Sequence, residues 1–268
     1  MDRRETDLSA AVYMGLVLVP LAAQVVARLL DPWYGGYVTM FNGEAGFIEL
    51  GTAALLFAAT LLLARTSRRL WRDGERANAI LAAILAFGAF VVMGEEVSWG
   101  QWLFHWDSPD WFLTHNEQGE TNLHNLAFVK KDIPKWLVVI GIAVFGVVMP
   151  MRGSRREGRI GPFDGKMLPT TVCVPVALVV VVSHVVVKLF WWIGSIELEP
   201  LIGIDVREAT EFYIALFGLI YAMSLGVRLQ AFDRTRQVAP TPRQAGHPIP
   251  RETSGAKAPS ASLPGKTG

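Results

Sequence analysis

Two things are scarce in this chain. Of 268 residues only Cys173 is a cysteine, and it lies inside an apolar run. An intrachain disulfide and any cysteine-based metal cluster are thereby excluded. Charge is scarce as well: 18% of residues are Asp, Glu, Lys or Arg, against about 25% in soluble domains. With 25 basic and 24 acidic residues the net charge is +1, so nothing draws the chain to nucleic acid, and no nucleic-acid partner is expected. A secreted or cytosolic globular enzyme is excluded on the same shortage of solubilising surface. Recognised metal-ligand spacings are missing too, with neither H-x-x-x-H nor H-E-x-x-H present.

What the chain has instead is apolar residues, 51% of the total, gathered into runs of the length a bilayer requires. The runs are continuous rather than alternating, which argues against a β-barrel. Six candidate spans fall at roughly 8–30, 46–64, 77–98, 136–151, 168–193 and 208–229. The fourth is short, and Leu126 to Phe128 or a thinned bilayer would lengthen it. The first follows Arg3 and Arg4 and passes a loose cleavage-like string at Leu21-Ala22-Ala23-Gln24, but its apolar stretch continues to Leu30, long for a signal peptide. Of the 25 Lys and Arg, 19 lie in the N-terminus, the 65–76 and 152–166 loops and the segment from Arg228. By the positive-inside rule these face the cytoplasm. The expected fold is an all-α polytopic bundle of about six transmembrane helices in a bacterial inner membrane, both termini cytoplasmic. Residues 1–230 form that domain, with a functional periplasmic loop at 95–135. Residues 231–268, rich in Pro, Ser, Thr, Gly and Ala, read as a disordered cytoplasmic tail. Gly218, Ala222 and Gly226 form a small-residue ridge suited to close helix packing.

The chemistry gathers in one segment, residues 94–128, GEEVSWGQWLFHWDSPDWFLTHNEQGETNLHNLAF. Glu95 and Glu96 sit at the outer end of the third span, where ionisable groups face a cavity or a partner rather than lipid. If the helix continues, Glu95, Ser98, Trp99 and Trp102 share a face, and Gln101 and His105 share another. Ser108-Pro109-Asp110 reads as the start of a short interfacial helix, with Ser as N-cap and Pro first in the helix, broken near Gly119. Gln118, Glu120, Asn122, His124 and Asn125 then crowd together, more polar groups than a plain connection needs. Trp99, Trp102, Trp106 and Trp111 are crowded enough to wall a pocket. Other spans add polar groups at this level: Glu49, Glu208 and Glu211, and His184 with Lys188 one turn above it on the same face.

The string Glu95-Glu96-Val97-Ser98-Trp99-Gly100-Gln101, followed by Gln118-Gly119-Glu120-Thr121-Asn122-Leu123-His124-Asn125, resembles the signature of a group of uncharacterised bacterial multi-span inner-membrane proteins. Asn42 to Glu49 and the Glu208/Glu211 pair fit the same pattern. The resemblance implies one coherent module over most of the membrane part, and it implies no activity or catalytic residue.

The sharpest reading of the residues is a metal site. His105, His115, His124 and His184 with Glu95, Glu96, Glu120 and Glu211 are ligand types for Zn²⁺ or Mn²⁺, and His124, His184 and Glu96 are the favoured set. A bound water would then attack an ester or phosphodiester. Without metal, Glu96 or Glu120 would serve as general base and His124 or His184 as acid. The bland reading is that Glu, His, Asn and Gln satisfy one another, as buried polar groups must. The expected function is hydrolysis or group transfer on a lipid or lipid-linked substrate at the periplasmic leaflet. Glu95, Glu96, Glu120, His124 and His184 carry the chemistry. Trp99, Gln101, Gln118, Asn122 and Asn125, with Glu49, Glu211 and Lys188, hold the substrate. Acidic loops disfavour an anionic headgroup unless a cation bridges it. The rivals are a proton-coupled carrier relaying through Glu49, Glu95, His184 and Lys188, and an accessory subunit whose 118–125 side chains diverge outward to dock a periplasmic partner.

Overall fold

The computed structural model describes residues 7–34, 36, 46–123, 125–126, 132–152, 165–194 and 205–238. His124, Lys130, Lys131 and the tail from 239 lie outside them. Among the described residues there are helices and no strand, apart from an isolated bridge between Asn116 and Leu126. The helices are α1 (Ala10–Tyr34), α2 (Phe47–Arg72), α3 (Arg76–Glu96), the short α4 (Gln101–Phe104) and α5 (Asp110–His115), α6 (Asp132–Ile142), α7 (Met149–Arg152), α8 (Val174–Gly194) and α9 (Val206–Val238). Among the described residues six stretches are long and apolar enough to cross a membrane: Ala10–Trp33, Phe47–Arg72, Arg76–Glu96, Pro134–Arg152, Gly165–Gly194 and Val206–Arg234. Each coincides with an expected span. Their outer faces carry Phe87, Leu137 and Trp192, at 68%, 67% and 80% exposure. Apolar surface on that scale belongs against lipid rather than water, so the chain reads as a multi-pass membrane protein.

Helices in lipid gain little from the hydrophobic effect and associate through close packing of small residues. The α2–α3 hairpin follows that rule. Leu56, Ala59, Leu63, Thr66 and Leu70 on α2 are buried, as are Ala79, Ala82 and Ala86 on α3, each series recurring at helical spacing. Gly74, at φ +80°, closes the turn between them, and Ser67 Oγ donates to the Ala79 carbonyl at 2.8 Å. Helix α9 is the central element, with 61% of its apolar stretch buried against 11% for α1. The fourth span reaches its length through a π-helical stretch, Ala143–Val148, linking α6 to α7. Gly146 lies there because a Cβ would stand 2.7 Å from the Phe217 ring of α9 and 2.9 Å from Ala177 Cβ of α8.

Several local expectations change. Leu126 does not lengthen the fourth span; it is bridged to Asn116. Of the small-residue ridge on α9 only Ala222 is buried, and a Cβ on Gly218 or Gly226 would meet nothing within 4 Å. The close approaches use Gly51, Gly94 and Gly146 instead. Helix α9 runs to Val238, while the chain divides into two compact units after Ala231, one residue from the boundary expected at 230.

One end of the bundle holds a polar knot that sequence reasoning missed. Arg228 of α9 donates to the carbonyls of Lys166 at 2.7 Å and Leu168 at 3.1 Å and lies 3.8 Å from Asp7. Lys166 pairs with Glu75. The approach to α1 and the far part of α9 therefore meet at the same end, together with the α2–α3 turn.

Candidate functional site

At the other end α3 stops at Glu96, two residues short of the boundary expected at 98, and does not continue to residue 102. Ser98, Trp99 and Gly100 take φ values of 45°, 55° and 81°, a single left-handed turn. For the two non-glycine residues this conformation costs ~1–2 kcal/mol each, so their surroundings must hold it. The Trp99 ring folds back onto Gly94, where a Cβ would stand 2.7 Å from it, and meets Phe90 edge-on at 6.0 Å. Trp99 Nε1 donates to Glu95 Oε1 at 2.9 Å, while Glu95 Oε2 accepts the Leu123 amide at 2.6 Å. One carboxylate thus ties the strained turn to the far side of the loop.

Ser98, Gln101, Ser108, Asn116, Gln118, Glu120, Thr121, Asn122 and Asn125 bond to one another. Ser98 Oγ donates to Glu120 Oε2 at 2.5 Å. Asn122 Nδ2 donates to Ser98 Oγ at 2.9 Å and to the same Glu120 oxygen at 2.8 Å. Asn116 Nδ2 donates to the Asn122 carbonyl at 2.9 Å and to its Oδ1 at 2.8 Å. Asn116 Oδ1 accepts the amides of Gln118 and Glu120. Gln101 spans to the other strand of the loop, accepting the Thr121 amide at 2.8 Å and donating to Ser108 Oγ at 2.8 Å. Gln118 accepts from Asn125 Nδ2. Ser108 therefore does not cap α5; Pro109 stands at its N-cap position, and the serine hydroxyl meets Gln101 and Thr121 Oγ1. Asn122 is 1% exposed and Ser98 2%. These side chains converge into a cap around the buried Asn122 and Asn125, with Gln118 and Leu123 exposed at its surface.

The expected histidines and tryptophans part company here. His115 stacks on Trp111 at 4.7 Å, its Nδ1 within 2.8 Å of Thr114 Oγ1 and the Trp111 carbonyl. Of the tryptophans of the segment, Trp99 covers Gly94 and Trp111 pairs with His115 and Phe112. The Trp102 side chain and His124 lie outside the described residues.

His184 is placed differently. It is buried, 4% exposed, with its ring edge-on to Trp136 at 4.6 Å. Together with Lys135, Val187, Lys188, Arg207 and Thr210 it lines a cavity of about 60 Å³. Lys188 also lines an open apolar groove of about 370 Å³ with Trp136, Val185, Leu189, Trp191 and Trp192. Lys135 is paired with Glu211 at 2.5 Å, and Asp205 Oδ1 caps α9 by accepting the amides of Arg207 and Glu208. Glu96 feels the charges of Glu211, Glu49, Lys135 and Glu208, so the ends of α2, α3, α6 and α9 share one electrostatic neighbourhood. Lys135, Arg207, Trp136, Trp191 and Trp192 were not among the expected site residues. Their signal was present: Lys135 and Arg207 are exceptions to the charge bias that oriented the chain, and each adjoins the start of a span.

Among the described residues no three His, Cys, Asp or Glu side chains gather closely enough to hold a metal ion. Of the favoured ligand set, His124 lies outside the described residues and His184 lines a cavity with Lys135, Lys188 and Arg207. No protein-family model matches the chain, and neither does a curated protein or a solved structure.

Proposed function

We propose that this protein binds a lipid or lipid-linked molecule at the end of the bundle closed by the cap. On the charge bias of the loops, that end faces the periplasmic leaflet of a bacterial inner membrane. The observation that carries the reading is the joining of two unlike spaces through Lys188. An aromatic, lipid-accessible groove runs beside a smaller cavity lined by cationic and polar side chains. Concave apolar surface with a few convergent polar groups is the usual form of a ligand site, and the division into apolar and polar parts fits an amphiphile. Turnover of that lipid by hydrolysis or group transfer would fall to His184 on the cavity wall and Glu96 near Lys135, because Ser98 and Glu120 are bonded to each other inside the cap.

The carrier reading fares less well. Between the level of His184 and the Arg228 knot lies an apolar layer that includes Val139, Ile142, Val176, Ala177, Leu216 and Ile220, which interrupts a titratable relay. Docking through the 118–125 side chains is disfavoured by their convergence. The test is photocrosslinking with a diazirine-bearing phospholipid in reconstituted bilayers, with labelled peptides mapped by mass spectrometry. Labelling concentrated on residues 134–137 and 185–193 supports the reading. Labelling spread evenly over the outer faces of α1, α2 and α3 contradicts it.

A further inference from the structure

Which part of a lipid would the polar cavity hold? Four side chains that carry or can acquire positive charge line it. They come from three helices distant in sequence: Lys135 at the start of α6, His184 and Lys188 on α8, and Arg207 at the start of α9. Carboxylates stand beside these cations: Glu211 holds Lys135 at 2.5 Å and Asp205 approaches Arg207 at 3.5 Å. These pairings also orient the two cations, so the cavity is charged and shaped before any ligand arrives. The approach from three helices suits an anion with several oxygens, met by ammonium groups as point charges and by the guanidinium fork.

Resting on the lipid-binding reading above, we infer that this cavity recognises the phosphate of an anionic phospholipid whose chains lie along the Trp136–Trp192 groove. The occupant is a lipid rather than free phosphate because Lys188 belongs to both spaces, so a phosphate seated against it has its apolar continuation beside Leu189, Trp191 and Trp192. The acidic character of the neighbouring loops disfavours an anion, and the cavity brings Lys135, Lys188 and Arg207 together within them.

The experiment uses the full chain in phosphatidylcholine nanodiscs with and without phosphatidic acid, and native mass spectrometry reads which lipid remains bound. A parallel arm titrates inorganic phosphate into detergent-solubilised protein. The wild type is expected to retain phosphatidic acid over phosphatidylcholine, and Lys188→Gln combined with Arg207→Gln is expected to lower that preference about tenfold, the scale of lost charge-assisted hydrogen bonds. The Arg207 side chain is 70% exposed, so this variant should fold, and thermal unfolding confirms it. Arg28→Gln, which removes a charge outside the cavity lining, should leave the preference intact. Equal retention of both lipids by wild type and variant, with crosslinks still in the groove, overturns the phosphate assignment and leaves the lipid-binding reading standing. Absence of any lipid from the groove overturns both. Binding of inorganic phosphate at Lys188 and Arg207 without lipid preference overturns the lipid source.

Discussion

Two polar regions share one end of this bundle, and they differ in what their side chains do. The cap at 95–126 is dense in amides, hydroxyls and carboxylates, and these bond across the loop to hold a left-handed turn. The cavity beside His184 is sparse, assembled from single residues on α6, α8 and α9, and it lines a space. Local density of polar groups therefore marks the part that is structurally committed. Convergence of scattered cations on a cavity marks the part left open to a ligand.

Substitutions should separate the two. The largest stability effect is expected in the cap, at Asn122. Replacing it with Ala strips partners from Ser98, Glu120 and Asn116 inside a closed network, at a cost of about 3 kcal/mol when buried groups are left unsatisfied. Thermal unfolding in detergent reads the loss, and lipid preference in the folded fraction should be unchanged. Next comes Gly94→Ala, whose new Cβ would stand 2.7 Å from the Trp99 ring. Overpacking of this kind costs about 1–3 kcal/mol, and the cost should shrink in the double variant with Trp99→Ala, a coupling that a mutant cycle measures. Glu95→Gln should cost about 1 kcal/mol, since it weakens the acceptor of the Trp99 indole and the Leu123 amide; hydrogen exchange at Leu123 reports it. The smallest effect is expected beside the cavity. Glu211→Gln breaks a pair whose side chains are 22% and 38% exposed, and partly exposed pairs contribute about 0–1 kcal/mol. A large destabilisation there would blur the distinction between the regions.

Much of this architecture is legible in the sequence. The six spans follow from apolar run length alone, because bilayer thickness sets a minimum that few other structures satisfy. The short helix through Trp111 to Leu113 is legible from the Ser-Pro-Asp start, although the hydroxyl expected to cap it serves Gln101 and Thr121 instead. The left-handed turn is not legible: Gly100 permits it, but Ser98 and Trp99 adopt it only because Gly94, Glu95, Glu120 and Asn122 hold them there, and those contacts exist only after the loop closes. The cavity is legible in half. His184 and Lys188 stand out as ionisable groups in an apolar run, at helical spacing. Lys135 and Arg207 join them through packing of α6 and α9 against α8, which no local pattern encodes.

The cap supports the fold, and the cavity with its groove is the part proposed to receive the lipid. The most direct measurement compares Asn122→Ala with the Lys188→Gln/Arg207→Gln pair for melting temperature and for retained phosphatidic acid. The account predicts that the first variant melts earlier with its lipid preference intact, and that the second melts like the wild type with the preference lost. The reverse pattern, lipid preference lost on changing the cap and kept on neutralising the cavity, would contradict it.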